Sequence, residues 1–433
     1  MRRAMGERFL GLLRNGLARG VLCGVWVLAA ATAINCRCDD MDAPDAPGAP
    51  GSPGASVIYE VPVLRVRLSA AGATEARIAT TGSYWLRADG RVIAESGAAW
   101  GPVAVRRSGP VWRIGDRRVE ARELELLPAG GAFVRFDGTT YRGRLRLLRD
   151  EGDSRLLVVN HVHVESYLAG VLAKELYRSW APATYGALAV AARTFALYQR
   201  MTFGASHQYD LGDTQASQVY GGLNAETSKA RQAVRETQGI VLSHGPRGRE
   251  RVFLAQYSAC CGGRVNGAYV IRNAHRIPPL EGGQVCTDCR QCRRYRWPNV
   301  RISKRDIHRA LSRRYAAARN LAGVHKIRVH TTAPGGRAVW IDVVGNAGEK
   351  IRIRAEDLRL ALIFNGSAAA KKLYSMNCRI VDRGASIEFA DGRGFGHGVG
   401  LCQWGAQGKA LAGWSAERIL EFYYPGATLY RVY

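Results

Sequence analysis

A chain of 433 residues with 47% hydrophobic and 23% charged residues is too long for one minimal core and too apolar for disorder throughout, so two or three structural units are expected. Its formal charge of +26, spread as Arg along the whole length, attracts any polyanion. Charge alone therefore does not separate a nucleic acid from the anionic polymers of a cell envelope.

Arg2, Arg3, Arg8, Arg14 and Arg19 run into the apolar stretch 21–34, with Ala31-Thr32-Ala33 as a small-x-small cleavage site. Residues 1–35 are read as an export signal, or as a membrane anchor where the signal stays uncleaved. Either way the protein is expected in the periplasm or the extracytoplasmic envelope, which argues against a specific nucleic-acid partner. Asn35 before Cys36 departs from the small residue that a lipid-attachment site needs. Residues 36–56 are rich in Pro, Gly, Ala and Asp without apolar periodicity, which reads as a linker.

Residues 57–150 carry strand signals: Val61 to Leu68 alternates, and Ala88-Asp-Gly90, Gly109-Pro110, Gly130-Gly131 and Asp137-Gly138 supply turns. This predicts a β-rich N-terminal module. After Val158 the period changes. Tyr167, Leu168, Val171 and Leu172 recur at helical spacing, and Pro182 suits the first turn of a helix running to Met201. Strand-like segments return at 252–257, 326–331, 339–344 and 351–353, and a last helix is predicted from about Ser415 to Tyr423. Residues 155–433 are therefore expected to form a mixed α+β domain, and the whole chain to be α+β.

Three groups of residues could carry chemistry. Glu175 follows Val171 and Leu172 at four- and three-residue spacing, on or beside the buried stripe of its helix. A half-buried carboxyl holds its proton toward neutral pH and can give it to a glycosidic oxygen; the alternative is a solvated carboxylate paired with Lys174 or Arg178. The second group is the run from Gly392 to Ala406, with glycine at every second position to Gly400 and with His397, Gln403 and Trp404 in it. Such a loop lets backbone approach a ligand while alternate side chains face it, and it matches no phosphate-binding fingerprint. The third is Cys260-Cys261 followed by Cys286, Cys289 and Cys292. Four of these five thiols could wrap a structural zinc ion, and disulfides compete for them in an oxidising compartment. Cys378 and Cys402 are read as buried apolar residues outside that set. No organic cofactor is expected.

The run Glu165-Ser-Tyr-Leu-Ala-Gly-Val-Leu-Ala-Lys-Glu-Leu176, then Ala187-Leu-Ala-Val-Ala-Ala-Arg-Thr-Phe-Ala196, Asp213-Thr-Gln-Ala-Ser-Gln-Val-Tyr220, Gln256-Tyr-Ser-Ala-Cys-Cys-Gly-Gly263, the run from Gly394 to Ala406 and Tyr423-Tyr-Pro-Gly426 resembles, in order, the SpoIID/LytB (stage II sporulation protein D) domain family. The resemblance implies a lytic transglycosylase that cuts peptidoglycan glycan strands, with Glu175 as the catalytic acid and no second carboxylate required. It implies that Arg193, Thr194, Tyr220, Ser258, His397 and Gln403 line or brace a substrate groove. Two departures stand out: Leu176-Tyr177 where many relatives have Met-Pro, and Gly212 and Ser217 where relatives often carry Cys. The LytB branch implies a second reading, a non-enzymatic modifier of an N-acetylmuramoyl-L-alanine amidase. Expected partners are thus glycan strands, an amidase or other cell-wall hydrolase, and the membrane if residues 1–35 are retained.

Overall fold

The structure is a computed structural model that describes residues 60–69, 73–150, 155–246, 249–271 and 276–433; the expected signal and linker lie outside them. Among the described residues no helix is long and apolar enough to cross a membrane.

The alternation read in the first strands builds two sheets. In Val63–Arg67, Leu64 and Val66 are fully buried while their neighbours are not, as period 2 requires of a strand with one covered face. A seven-stranded sheet takes the order Leu211–Gly212, Val63–Arg67, Leu156–His163, Arg144–Arg149, Leu124–Pro128, Tyr84–Ala88, Arg91–Ser96. A six-stranded sheet runs from Thr139–Tyr141 through Val134–Phe136, Glu75–Thr80, Trp100–Ser108 and Val111–Ile114 to Arg117–Glu120. Asp137 and Gly138, with φ of 46° and 84°, make the two-residue turn between Val134–Phe136 and Thr139–Tyr141. Positive φ at both central positions matches the twist of the flanking strands.

Strand Leu156–His163, the first element after the boundary expected between residues 150 and 155, is built into the N-terminal sheet. It pairs with Val63–Arg67 on one side and Arg144–Arg149 on the other, and all its residues but His163 are buried. It runs without a loop into helix α1 (Val164–Glu175), whose first amide donates to the Pro62 carbonyl. Helix α2 (Pro182–Met201) starts at the proline that the sequence singled out and is buried from Thr184 to Leu197. Being covered on all sides, it shows little amphipathic contrast in sequence.

A separate hydrophobic cluster, from Trp297 to Phe389, forms a second lobe. It holds two three-stranded sheets, one of Val300–Ser303, Ser386–Ala390 and Arg379–Arg383, the other of Lys326–Thr332, Ala338–Val344 and Lys350–Arg354. Helices Lys304–Arg314 and Ala355–Asn365 cover them. The architecture is mixed α+β with its β-rich part first. From the second lobe the chain returns through the glycine run to helix Gln403–Leu411, which packs beside α2.

Candidate active site and thiol cluster

A cleft of about 3370 Å³ opens where the end of α1, the loop after Leu211, the glycine run and helix Ala355–Asn365 meet. Glu175 lines it as the last residue of α1. One carboxylate oxygen, Oε2, accepts from the Gln403 side-chain amide at 2.9 Å, and Oε1 accepts from the Val219 backbone N–H at 3.2 Å. Burial pushes its pKa up, and these two hydrogen bonds oppose that push without cancelling it. Its place at the negative end of the helix dipole acts in the same direction as burial. No ion pair of Glu175 is found among the described residues, so neither Lys174 nor Arg178 neutralises it.

The loop that supplies Val219 is held from within. Tyr220 N–H donates to the Asp213 carbonyl at 3.1 Å and Ser217 N–H to the Thr214 carbonyl at 2.9 Å. The buried Tyr167 hydroxyl donates to the Gln218 side chain at 3.1 Å. Asp213, in the same loop, also lines the cleft, and burial raises its pKa to about 6. Sequence reasoning took Asp213 only as part of a motif; its distance from Glu175 in the chain hides that the loop folds back onto the helix end.

The glycine run alternates because the backbone does. Gly394, Gly396, Gly398 and Gly400 have φ of 79°, 95°, 74° and 66°, a conformation costly for any residue with a Cβ. A Cβ on Gly398 would lie 2.7 Å from Asn266 Nδ2 and 2.9 Å from Arg337 Nη2. Between these glycines, His397 accepts the Val399 N–H on Nδ1 at 3.1 Å, which leaves its ring proton on Nε2. Burial lowers its pKa to about 4, outweighing the pull of Glu356; at neutral pH it is an uncharged N–H donor facing the cleft. Ser258 also lines the cleft, but its Oγ is occupied in accepting the Gly398 N–H at 3.1 Å, so it braces the loop.

Next to Glu175 stands an aromatic lip. Tyr177, Trp180 and Trp404 line the cleft, with ring centroids 5.3 Å (Tyr177–Trp180), 5.0 Å (Trp180–Trp404) and 5.7 Å (Tyr177–Trp404) apart. Tyr177 is 60% exposed. Lys229 fixes the loop behind it by donating to the carbonyls of Arg178 and Trp180 at 2.8 and 2.7 Å. The departure at Leu176-Tyr177 thus puts a ring at the edge of the cleft.

Of the residues expected to line or brace the groove, Arg193, Thr194 and Tyr220 do not line the cleft. Arg193 is wholly buried and pairs with Glu165, Nε to Oε1 at 2.9 Å and Nη2 to Oε2 at 2.7 Å, while Nη1 donates to the Ile240 carbonyl at 3.0 Å. Thr194 Oγ1 donates to the Val190 carbonyl and accepts the Leu242 N–H. Tyr220 packs its ring against Gly170 of α1, where a Cβ would lie 2.8 Å away. Arg193 and Thr194 lie on the part of α2 that is buried from Thr184 to Leu197, and Tyr220 turns from its loop onto α1.

The thiol set also needs correction. Cys261, Cys286, Cys289 and Cys402 are all buried, and their sulfurs lie within 4.8 Å of one another, a group that could hold a metal ion. Cys260 and Cys292 are outside it: Cys260 Sγ faces the Cys289 carbonyl, and Cys292 Sγ accepts the Arg294 N–H. Cys402 enters because strand Leu401–Cys402 pairs in parallel with Tyr257–Ser258, setting it beside Cys261. No local spacing announces a contact made across 141 residues.

The family model described as stage II sporulation protein, SpoIID, matches residues 152–244, which hold α1, α2, Glu175 and the Val219 loop. Residues 152–244 are thus a SpoIID domain. A further model, described as a domain of unknown function (DUF8618), matches residues 283–400, essentially the second lobe. The stage II sporulation protein D of Bacillus subtilis is 26% identical over 287 residues, 63% of this chain and 75% of that protein. The amidase enhancer of Bacillus subtilis is 26% identical over 336 residues, 68% of this chain and 45% of its own length. An uncharacterized protein of Brachyspira hyodysenteriae is 29% identical over 319 residues, 72% of this chain and 79% of that one.

Proposed function

We propose that this protein is exported and cleaves peptidoglycan glycan strands in the cell envelope by a lytic transglycosylase reaction, with Glu175 as the one proton-transferring carboxyl. The observation that carries the reading is a half-buried acid at a cleft wall, free of cationic partners among the described residues and fixed by the Gln403 amide and the Val219 N–H. Burial keeps it protonated to higher pH than an exposed glutamate. It gives that proton to the glycosidic oxygen as the bond from the anomeric carbon to that oxygen breaks. The C6 hydroxyl of the same sugar then attacks the anomeric carbon, and the Glu175 carboxylate takes the hydroxyl proton. A 1,6-anhydro end forms, the acid is regenerated and no water is consumed. His397, neutral and on the cleft wall, would orient the sugar, and the rings of Tyr177 and Trp404 would carry its apolar face. Chemically, the four-thiol group suits zinc, a structural ion with soft sulfur ligands.

The second reading, a modifier of an amidase, draws on the relative named amidase enhancer. One experiment separates the two. Purified protein is incubated with peptidoglycan, intact and stripped of stem peptides, and the products are read by mass. Anhydro-sugar ends from the native protein that vanish in Glu175→Gln are the expected result. No product from either substrate, together with faster stem-peptide release when an amidase is added, would move the assignment to the modifier.

A further inference from the structure

Helix Gln403–Leu411 connects the thiol cluster to the acid. Cys402 is its N-cap residue: the sulfur accepts the Gly405 N–H at 3.3 Å, and from outside the helix the Cys261 N–H at 3.2 Å. The next residue, Gln403, holds Glu175 Oε2. One turn on, the Gln407 side-chain carbonyl accepts both the Ala181 N–H and the Thr184 hydroxyl at 2.9 Å, which fixes the segment between α1 and α2 immediately behind the acid. Two glutamines at i and i+4 share one helix face, and together they clamp the acid and its backbone.

The other end of this clamp is sulfur. Gly405 lies so close to the cluster that a Cβ there would sit 2.5 Å from Cys286 Sγ. Gly408 packs on the turn Asp288–Gln291 that carries Cys289, with a Cβ 2.5 Å from the Asp288 carbonyl, and Lys409 pairs with Asp288 at 3.0 Å. The Trp404 N–H donates to the Ala259 carbonyl at 3.0 Å. The geometry of the sulfurs fits one ion. Cys261 and Cys289 sulfurs are 3.6 Å apart, against about 3.8 Å for two thiolates on a tetrahedral ion with bonds of about 2.3 Å and about 2.05 Å for a disulfide. The Tyr423 hydroxyl, 3.2 Å from Cys286 Sγ, and the two backbone N–H groups on Cys402 are outer partners of the kind that orient thiolate ligands.

We propose that Cys261, Cys286, Cys289 and Cys402 bind a single ion and that this site positions Glu175, through the helix that Cys402 caps and the side chains of Gln403 and Gln407. The inference rests on the reading of Glu175 given above for its consequence in catalysis, but the metal site and its grip on the helix stand without it. Cys402 and Gln407 are positioning residues; neither touches the cleft where a sugar would react.

The test uses the full chain, its metal content and amide exchange. Native mass spectrometry should find about one zinc per chain, and replacement by Co²⁺ should give the intense thiolate-to-cobalt absorption of a four-sulfur site. Cys402→Ser should lose the ion or that absorption, while Cys260→Ser and Cys292→Ser keep both. Chelating the ion from the native protein, which also answers for any variant that fails to fold, should speed hydrogen exchange across 176–184 and 213–220 by at least about tenfold. Exchange in the strands Tyr84–Ala88 and Leu124–Pro128 should stay unchanged. Gln407→Leu should raise exchange at 176–184 with the ion retained. The proposal is overturned by these four cysteines found as disulfides with no ion, by an ion that needs Cys260 or Cys292 instead of Cys402, or by chelation that leaves 176–184 protected. A metal-loaded protein with protected amides that forms no anhydro product would refute the glycan-cleaving reading and leave this site intact.

Discussion

Replacing Arg193 by Met separates a core role from a groove role for that residue. The guanidinium is wholly buried and makes a two-pronged pair with Glu165, whose side chain is 16% exposed, plus a bond to the Ile240 carbonyl. Arg193→Met fills the space of the stem, but strands a carboxylate and a carbonyl. Breaking a buried pair from one side costs about 3–5 kcal/mol. Glu165 would keep the Gly239 N–H and the Tyr433 hydroxyl, and solvent reaches it, so the lower end, about 3 kcal/mol, is expected. In urea at pH 7 the main transition should move down by roughly 1 M. Adding Glu165→Gln should restore about 1–2 kcal/mol, because the stranded charge is gone. Glycan binding by the folded variant should equal that of the native protein. An unshifted midpoint combined with weakened glycan binding would refute the reasoning and return Arg193 to the groove.

Two further outcomes follow from the geometry. His161 sits buried in strand Leu156–His163 with no partner for Nε2 among the described residues, and burial, then Arg144, Arg146 and Arg65, lower its pKa to about 3. The unfolded chain binds this proton near pH 6.5 and the fold refuses it until about 3. Stability is therefore lost as pH falls through that window, by up to about 1.4 kcal/mol per pH unit, and urea titrations of His161→Phe should show a shallower decline. Tyr177→Ala, at a 60% exposed site, should leave thermal stability unchanged and weaken glycan binding to Glu175→Gln protein by about three- to tenfold. Fluorescence of the neighbouring Trp180 and Trp404 reads that binding directly; unchanged affinity would remove the ring from the proposed sugar site.

What the sequence made legible was local. The turns at Asp89-Gly90 and Asp137-Gly138, the start of α2 at Pro182 and the strict glycine alternation before Gly400 each follow from backbone constraints that one or two residues impose. The half-buried setting of Glu175 follows from helical spacing within two turns. What stayed hidden depends on contacts between distant segments. The apolar surroundings of Arg193 in α2 could not say whether it met a substrate or Glu165, since a buried guanidinium needs a partner in either case. Cys402 looked solitary because its sulfur neighbours come from two distant segments, one with Cys261 and one with Cys286 and Cys289. The cleft-lining role of Asp213 likewise depends on a loop that folds back, which leaves no period to read. The strand Leu156–His163 was blurred with the helix that follows it because a strand buried on both faces reads as a plain apolar run.

That strand has a practical and an evolutionary consequence. The length matched by the SpoIID family model begins at residue 152, yet the eight residues from Leu156 are stitched to Val63–Arg67 and Arg144–Arg149 along both sides. Cutting the chain at the start of the match would bare two unsatisfied rows of amides and carbonyls on a strand buried at seven of its eight residues, an invitation to edge-to-edge aggregation. The preceding sheet is thus a permanent splint for the acid-bearing helix, and any shuffling of the SpoIID-matched half into another protein would have to bring a replacement for it.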